Sequence, residues 1–367
     1  MKPGRRVRTI GVLAVAVLAI AVAFVLRDRF QGNEQLVAGG LRNPRAAVVL
    51  PDNAIIVTEA GLPDTAGTTD KSTRQLTSGR LSWVRDNGES RRTLLDNLPG
   101  QYVGLLNEVI GPAGIAPAPN GGLYVLIGQC AQVRCSALHL LGSDGKPTQL
   151  VDLRGFAAAN PAVTDSGAPN EESNPWGIAV GPDGVMFISD AAANDILRID
   201  PNVSPPRVSV HVRLPEQAVP TGVALADDGA LYVAIFTALK HPTGSGSIAR
   251  IAPDGRVTTA VDDLTMPIGV AVEPNGALLV LEFSDNYSMD TGYRARSGKL
   301  TRIDPRNPSV RHTLSTGLTF PTSIAQSPEG RAYVTTGGAF TGKARSADGE
   351  IVRIRRLESV RPWWSLQ

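Results

Sequence analysis

The dominant pattern along the chain is a short apolar stretch, a polar turn and a second apolar stretch, and it occurs six times. Every copy opens with proline and carries Asp, Asn or Glu followed by Gly or Asn at its turn. Such residues suit the positive φ angles of tight hairpins between β-strands. The six copies begin at Pro44, Pro112, Pro175, Pro220, Pro267 and Pro321. The pattern therefore predicts six β-hairpins.

A second hairpin follows the first in most copies, as in "SIARIAPDGRVTTAVDDL". Each copy then supplies four short antiparallel strands, A to D, and no amphipathic helical stretch interrupts them. Four-stranded units of about 45–65 residues are typical of a β-propeller with one unit per blade. We therefore predict an all-β, six-bladed propeller. Two β-sandwich domains fit less well, because all copies share one opening and one period.

The sixth unit has three evident strands, and an unpaired outer edge would leave the ring open. The segment "EQLVAGGL" at 34–41 resembles strand D of other units, such as "RHTLSTGL". We predict that it pairs with the last blade and closes the propeller. Trp363 and Trp364 would then form a tail cap on this seam, with an aromatic ligand site as the alternative.

The N-terminal segment is strongly apolar. Residues 10–26 carry no charge, and Lys2, Arg5, Arg6 and Arg8 precede them. This length lies between a signal-peptide core and a minimal membrane-spanning helix. We favour an uncleaved membrane anchor over a cleaved signal, with the propeller outside the cytoplasm because positive charge precedes the run. The predicted organisation is an anchor at 1–30, a propeller at 34–358 and a tail at 359–367.

Charge and cysteine content narrow the possible partners. The formal net charge is +2, and no basic patch interleaved with aromatics is evident, so we expect no nucleic acid partner. The two cysteines, Cys130 and Cys135, lie close together in "GQCAQVRCS". Outside the cytoplasm such a pair predicts a local disulfide, since a zinc site needs more ligands.

Propeller topology assigns the loops to two faces. The A–B and C–D turns lie on one face, here the short-turn face, and the B–C and D–A connections lie on the other, here the long-loop face. The long connections all fall on the second: 61–78, 98–111, 154–174, 237–245, 285–296 and 338–348. Long loops on a rigid scaffold are where binding usually resides. We therefore predict that the long-loop face binds the ligand.

The ends of the B strands carry candidate ligand groups. Alignment on the turns places an acid at the end of strand B in blades one, three and five. Asn107 and Glu108 precede blade two, and Asn174 precedes blade three. Carboxylate and amide oxygens around a channel could hold calcium. The alternative, which we favour, is that the acids accept hydrogen bonds from loop amides. The candidate ligand or metal residues are Glu59, Asn107, Asn174, Asp190 and Glu282, whereas Trp176 is predicted to pack at the channel.

Two stretches carry a family resemblance. Residues 173–200, "SNPWGIAV…ISDAAANDILRID", and residues 219–251 resemble the ScyD/ScyE family, which is similar to NHL-repeat propellers. The resemblance covers most of residues 34–356. It departs at "AIFTALKHP", where family members more often carry an acid and an aromatic-rich loop. The resemblance implies an exported propeller, and it transfers no catalytic residues.

Two classes of function remain. The first is a non-catalytic binding or scaffold module, tethered outside the cell, that takes a small molecule, peptide or glycan on its long-loop face. The second is a metal-dependent hydrolase similar to lactonase-type propellers, with the five candidate ligands around calcium. A quinone-dependent sugar dehydrogenase is a weaker third option. Of the four histidines only His241 falls on the long-loop face, so we predict no His-based nucleophilic site.

Overall fold

The computed structural model describes residues 33–63, 71–86, 88, 90–119, 121–338 and 348–355. Within them the chain forms six antiparallel sheets of four or five strands, one for each copy of the repeat. The inner strand of each sheet contacts the inner strand of the next, and the sixth contacts the first, which closes a ring. The six-bladed all-β propeller is therefore confirmed.

The strands of blades one to three follow the repeat. Blade one contains β2 (Pro44–Val49), β3 (Ala54–Glu59), β4 (Thr73–Arg85), β5 (Arg91–Val103) and β6 (Glu108–Ile110). Blade two contains β7 (Pro112–Pro117), β8 (Leu123–Ile127), β9 (Ala137–Leu141) and β10 (Pro147–Asp152). Helix α1 (Leu153–Ala159) and the small hairpin of β11 (Ala162–Val163) and β12 (Pro169–Asn170) come next. Blade three contains β13 (Pro175–Val180), β14 (Met186–Asp190), β15 (Asp195–Asp200) and β16 (Arg207–Arg213).

Blades four to six continue the same order. Blade four contains β17 (Pro220–Leu225), β18 (Leu231–Ile235), β19 (Gly246–Ile251) and β20 (Val257–Leu264). Blade five contains β21 (Pro267–Val272), β22 (Leu278–Glu282), β25 (Gly298–Ile303) and β26 (Arg311–Leu318). The hairpin of β23 (Tyr287–Ser288) and β24 (Gly292–Tyr293) fills its B–C loop. Blade six contains β27 (Ser323–Gln326), β28 (Ala332–Thr336), β29 (Gly349–Ile354) and β1 (Glu34–Leu41).

The ring closes as the repeat pattern predicts. Strand β1 pairs antiparallel with β29, with Glu34 opposite Ile354 and Leu41 opposite Gly349. Val37 and Leu41 join an apolar cluster that contains side chains of blades one and six, so the seam is filled like an ordinary blade interface. The first folded strand is therefore the outer strand of the last blade.

Two predictions about the long connections are wrong in detail. Residues 73–78 and 98–103 belong to strands, because β4 and β5 run on beyond the blade, and β6 adds a fifth strand. A small cluster of Ala60, Leu76, Tyr102 and Val109 buries apolar surface there and stabilises the extension.

One short helix, α1, lies between blades two and three and was not predicted, although no helix interrupts the four strands of a blade in the described residues. The Asp152 carboxylate accepts a hydrogen bond from the Gly155 amide at its N-terminus, and Leu153 and Ala157 are buried. A helix of seven residues has only about two turns, which are too few for its hydrophobic periodicity to be recognised in the sequence.

The predicted disulfide is confirmed between Cys130 and Cys135, in the B–C loop of blade two. Arg154 donates a hydrogen bond to the Cys130 carbonyl, and His139 Nε2 lies 2.9 Å from the Arg134 carbonyl oxygen. The loop is thus attached to its blade at both ends.

The predicted anchor, the tail and its two tryptophans lie outside the described residues. In the part of the chain that is described, no helix is long and apolar enough to span a membrane.

Candidate functional site at the long-loop end of the channel

The acids at the strand-B ends occupy the positions that the alignment predicts. Each lies opposite the proline that opens its blade, in the pairs Pro44–Glu59, Pro175–Asp190 and Pro267–Glu282. All three carboxylates are almost completely buried. Each therefore needs local partners.

Backbone amides of the incoming linkers supply those partners. Glu59 accepts from the Arg42 amide at 2.5 Å, and Glu282 accepts from the Thr265 amide at 2.7 Å. Asp190 accepts from the Asn174 amide at 2.8 Å and from the Ser173 hydroxyl. Each acid thus binds the segment that leads into its own blade, as the favoured alternative expects.

Cationic side chains complete two of these sites. Arg80 donates to Glu59 from both Nε and Nη2, at 2.9 and 2.8 Å, and Arg91 adds a longer contact of 3.3 Å. Lys299 Nζ lies 3.0 Å from Glu282 Oε2. A carboxylate already neutralised by arginine or lysine is a poor ligand for a second cation.

The two asparagines are also engaged locally. Tyr102 donates a hydrogen bond of 2.8 Å to Asn107 Oδ1, and the Gln129 amide donates one of 3.1 Å to Asn174 Oδ1. Among the described residues, no three His, Cys, Asp or Glu side chains are grouped as a metal site would require. Each of the five candidate ligands thus has a local partner, and calcium binding stays a prediction.

An arginine and a tryptophan line one end of the channel. The inner strands line the channel with small side chains and glycines, and they leave a cavity of about 90 Å³. Arg45, the second residue of β2, and Trp176, the second residue of β13, line it at the end where the long loops enter. The Arg45 guanidinium carbon lies 4.9 Å from the centre of the Trp176 ring, within range of a cation–π interaction.

Arg45 forms a buried ion pair with Glu108. Its Nη2 lies 3.4 Å from Glu108 Oε1 and also donates to the Val109 carbonyl. Only 4% of the arginine side chain and 7% of the glutamate side chain are exposed. Burial raises the pKa of Glu108 and lowers the pKa of Arg45, and the opposite charge of each partner counteracts both shifts.

A histidine–tyrosine pair lies above the channel in the long loops of blades four and five. His241 Nε2 is 2.9 Å from the Tyr293 hydroxyl. Phe236 and Phe283 contact this pair edge to face. Burial lowers the pKa of His241, and the Thr237 carbonyl opposes the shift only in part, so the ring is neutral near pH 7.

Glu108 acts electrostatically on the tyrosine of the second pair. Burial raises the pKa of Tyr293, and the nearby charge of Glu108 raises it further. Trp176 packs against the same apolar cluster as Tyr293. The channel end therefore joins a buried ion pair, an indole ring and a histidine–tyrosine pair, contributed by five separate segments.

Sequence reasoning noted His241, Glu108 and Trp176 singly but missed Arg45 and Tyr293. One signal for Arg45 was present, because it occupies the same repeat position as Trp176, directly after the opening proline. The other four blades carry Ala, Thr, Ile and Thr at that position. Arg45 and Trp176 are thus the two largest side chains at this repeat position.

No family model and no curated protein sequence matches the chain. Among solved structures, a Thermus thermophilus protein described as an oxidoreductase of the glucose dehydrogenase type is 16% identical. The match covers 88% of this chain and 99% of that one, with a TM-score of 0.54. A luciferin-regenerating enzyme is 12% identical over 87% of this chain and 93% of its own, with a TM-score of 0.51.

A Xanthomonas campestris gluconolactonase is 15% identical over 87% of this chain and 97% of its own, with a TM-score of 0.49. At these identities the similarity extends to the fold and no further. Membership of the ScyD/ScyE family stays a prediction. The chain is thus similar in fold to the protein described as an oxidoreductase and to the luciferin-regenerating enzyme.

Proposed function

We propose that the protein is a small-molecule hydrolase that opens a lactone or ester at the long-loop end of its channel. One observation carries this proposal: the hydrogen-bonded pair of His241 and Tyr293 lies within electrostatic range of the buried Glu108. Buried ionisable groups that converge at a channel mouth from separate loops are typical of active sites. Enzymes with this fold include a lactonase, but the proposal rests on the side chains.

The protonation states fit general acid–base catalysis. His241 is neutral and can take a proton from water as the water attacks the carbonyl carbon. Tyr293 keeps its proton because its pKa is raised. The substrate must replace the hydrogen bond between this hydroxyl and His241 Nε2, so that the hydroxyl donates its one proton to the carbonyl oxygen as negative charge develops there and Nε2 accepts from the attacking water. Protonated His241 then returns the proton to the departing alkoxide, which gives an acid and an alcohol.

The test uses 4-nitrophenyl acetate and unsubstituted γ- and δ-lactones, with hydrolysis followed by absorbance or pH-stat. We expect turnover by the wild type and a loss of roughly 100-fold or more in kcat for His241→Gln and Tyr293→Phe. His211→Gln is the matched control, because His211 contacts Phe187 in blade three and is not part of the site. Full activity of His241→Gln, or an inactive wild type, would refute the proposal.

A binding module is the second candidate, supported by the apolar residues exposed on the long-loop face. Six of the ten large apolar side chains exposed in the described residues lie in its loops: Leu105, Leu106, Val133, Val163, Leu239 and Met289. Exposed apolar residues clustered on one face are characteristic of interaction sites. If the wild type is inactive, loss of partner binding on Leu239→Ser with an unchanged melting temperature would support this candidate.

A further inference from the structure

Arg45 has more hydrogen-bonding capacity than its surroundings use. Its Nη2 contacts Glu108 and Val109, whereas Nε and Nη1 are buried and have no hydrogen-bond partner in the part of the chain that the structure describes. An arginine stays protonated at neutral pH even when burial lowers its pKa, so these nitrogens carry positive charge. A buried charged donor without an acceptor destabilises the protein, because it has lost its hydration and gained no hydrogen bond in exchange.

The walls of the cavity do not supply the missing acceptors. Among the residues that line it, Arg45 is the only charged side chain, and most of the others are alanine, glycine, valine or isoleucine. Thr322 is already bonded to the Pro44 carbonyl, and Ser323 to Thr335. No acceptor for Arg45 Nε and Nη1 is present among the described residues, and a molecule that enters the channel can supply one.

The shape of the cavity limits what that molecule can be. A volume of about 90 Å³ admits a few waters or the small anionic end of a larger molecule. Trp176 provides a flat apolar wall beside the guanidinium. A carboxylate matches arginine donors in charge and geometry, and its carbon skeleton can lie against the indole.

We propose that Arg45 binds the carboxylate of a small organic acid in the channel, and that the substrate of the enzyme carries such a group. The assignment to a substrate rests on the proposed function, whereas carboxylate binding by Arg45 stands on its own geometry. Glu108 then has a defined part: it holds the guanidinium in place and partly neutralises it, so that the affinity for the anion is moderated.

The test measures binding of sodium acetate and sodium benzoate to the full protein, with each salt replacing sodium chloride at constant ionic strength. The readouts are the melting temperature and the fluorescence of Trp176, for which Trp176→Phe is the optical control. We expect saturable binding by the wild type, with benzoate tighter than acetate because its ring contacts the indole.

Two variants of opposite effect make the test decisive. Arg45→Met with Glu108→Gln removes both charges without leaving one buried alone, and it should abolish the response. Glu108→Gln alone frees the guanidinium charge and should tighten acetate binding by about tenfold, since close buried charges couple that strongly. An unchanged response of the double variant, weaker binding by Glu108→Gln, or no response of the wild type would overturn the proposal.

His241→Gln separates this inference from the proposed function. It should lose hydrolysis and still bind acetate with wild-type affinity. Hydrolysis that survives in His241→Gln alongside normal acetate binding would refute the enzyme mechanism alone. Hydrolysis in a protein that binds no carboxylate would refute the inference alone.

Discussion

Single buried acids hold the linkers between blades. Glu59, Asp190 and Glu282 each accept an amide hydrogen bond from the residue one or two positions before an opening proline. In blade four, which lacks such an acid, Asn194 of the preceding blade accepts from the Val219 amide at 2.7 Å. Different blades thus use different side chains to accept the hydrogen bond from the linker amide.

Asp190 offers the clearest test at this scale. Asp190→Ala removes the acceptor for Ser173, Asn174 and Ala193 and should lower the free energy of unfolding by about 3 kcal/mol. Asp190→Asn keeps one acceptor oxygen and should cost about 1 kcal/mol. Urea unfolding of the two variants and the wild type, with and without calcium, measures these free energies. A calcium-dependent rise in melting temperature that Asp190→Asn abolishes would instead support the metal-site prediction.

At the scale of elements, β1 has the strongest consequence. It pairs with β29, which is far away in the sequence. Asn33, directly before β1, donates a hydrogen bond of 2.7 Å to the Leu314 carbonyl of blade five, so the segment contacts both of the last two blades. We therefore expect the ring to form only when both β1 and β29 are present. Such long-range closure makes a single strand essential to the whole domain.

Neighbouring residues of β1 provide matched variants. Val37 is 4% exposed at the seam, whereas Leu36 is 48% exposed on the other face of the strand. Val37→Ala should lower the free energy of unfolding by about 2 kcal/mol, and Leu36→Ala should change it by less than about 0.5 kcal/mol. Removal of residues 1–30 should leave the melting temperature of the propeller unchanged, whereas removal of 1–41 should unfold it. A stable propeller without residues 1–41 would refute closure by β1.

At the scale of the whole molecule, the two faces of the propeller differ in the length of their loops. The N-terminal segment joins the short-turn face. Glu34 pairs with Ile354 at the end of strand C, so β1 begins on the short-turn face. Residues 27–33 can span at most about 25 Å, which we take as too short for the linker to run from the start of β1 past the side of the propeller to the long-loop face. If residues 10–26 anchor the protein, we propose that the short-turn face lies towards the membrane and the long-loop face away from it.

Cysteine labelling in intact membranes tests this orientation. Met289 is 76% exposed in a long loop, and Val310 is 44% exposed in a C–D turn. Both native cysteines are paired, so an introduced cysteine gives a clean signal. A bulky maleimide should label Met289→Cys several-fold faster than Val310→Cys in membranes, and the difference should shrink after detergent extraction. Equal rates in membranes would contradict the orientation.

The sequence by itself determined the number of blades, the pairing of the first strand with the last blade, the disulfide and the inequality of the faces. These features follow from local rules, namely strand periodicity, turn residues and the need to fill every sheet edge. Only the tertiary structure decided the composition of the site. Arg45, Glu108, His241 and Tyr293 lie in four segments far apart in the chain, and their charge and pKa shifts depend on burial that no local pattern encodes. The structure also decided which amides the buried acids Glu59, Asp190 and Glu282 contact, because a hydrogen bond forms only between groups that the fold brings within about 3 Å.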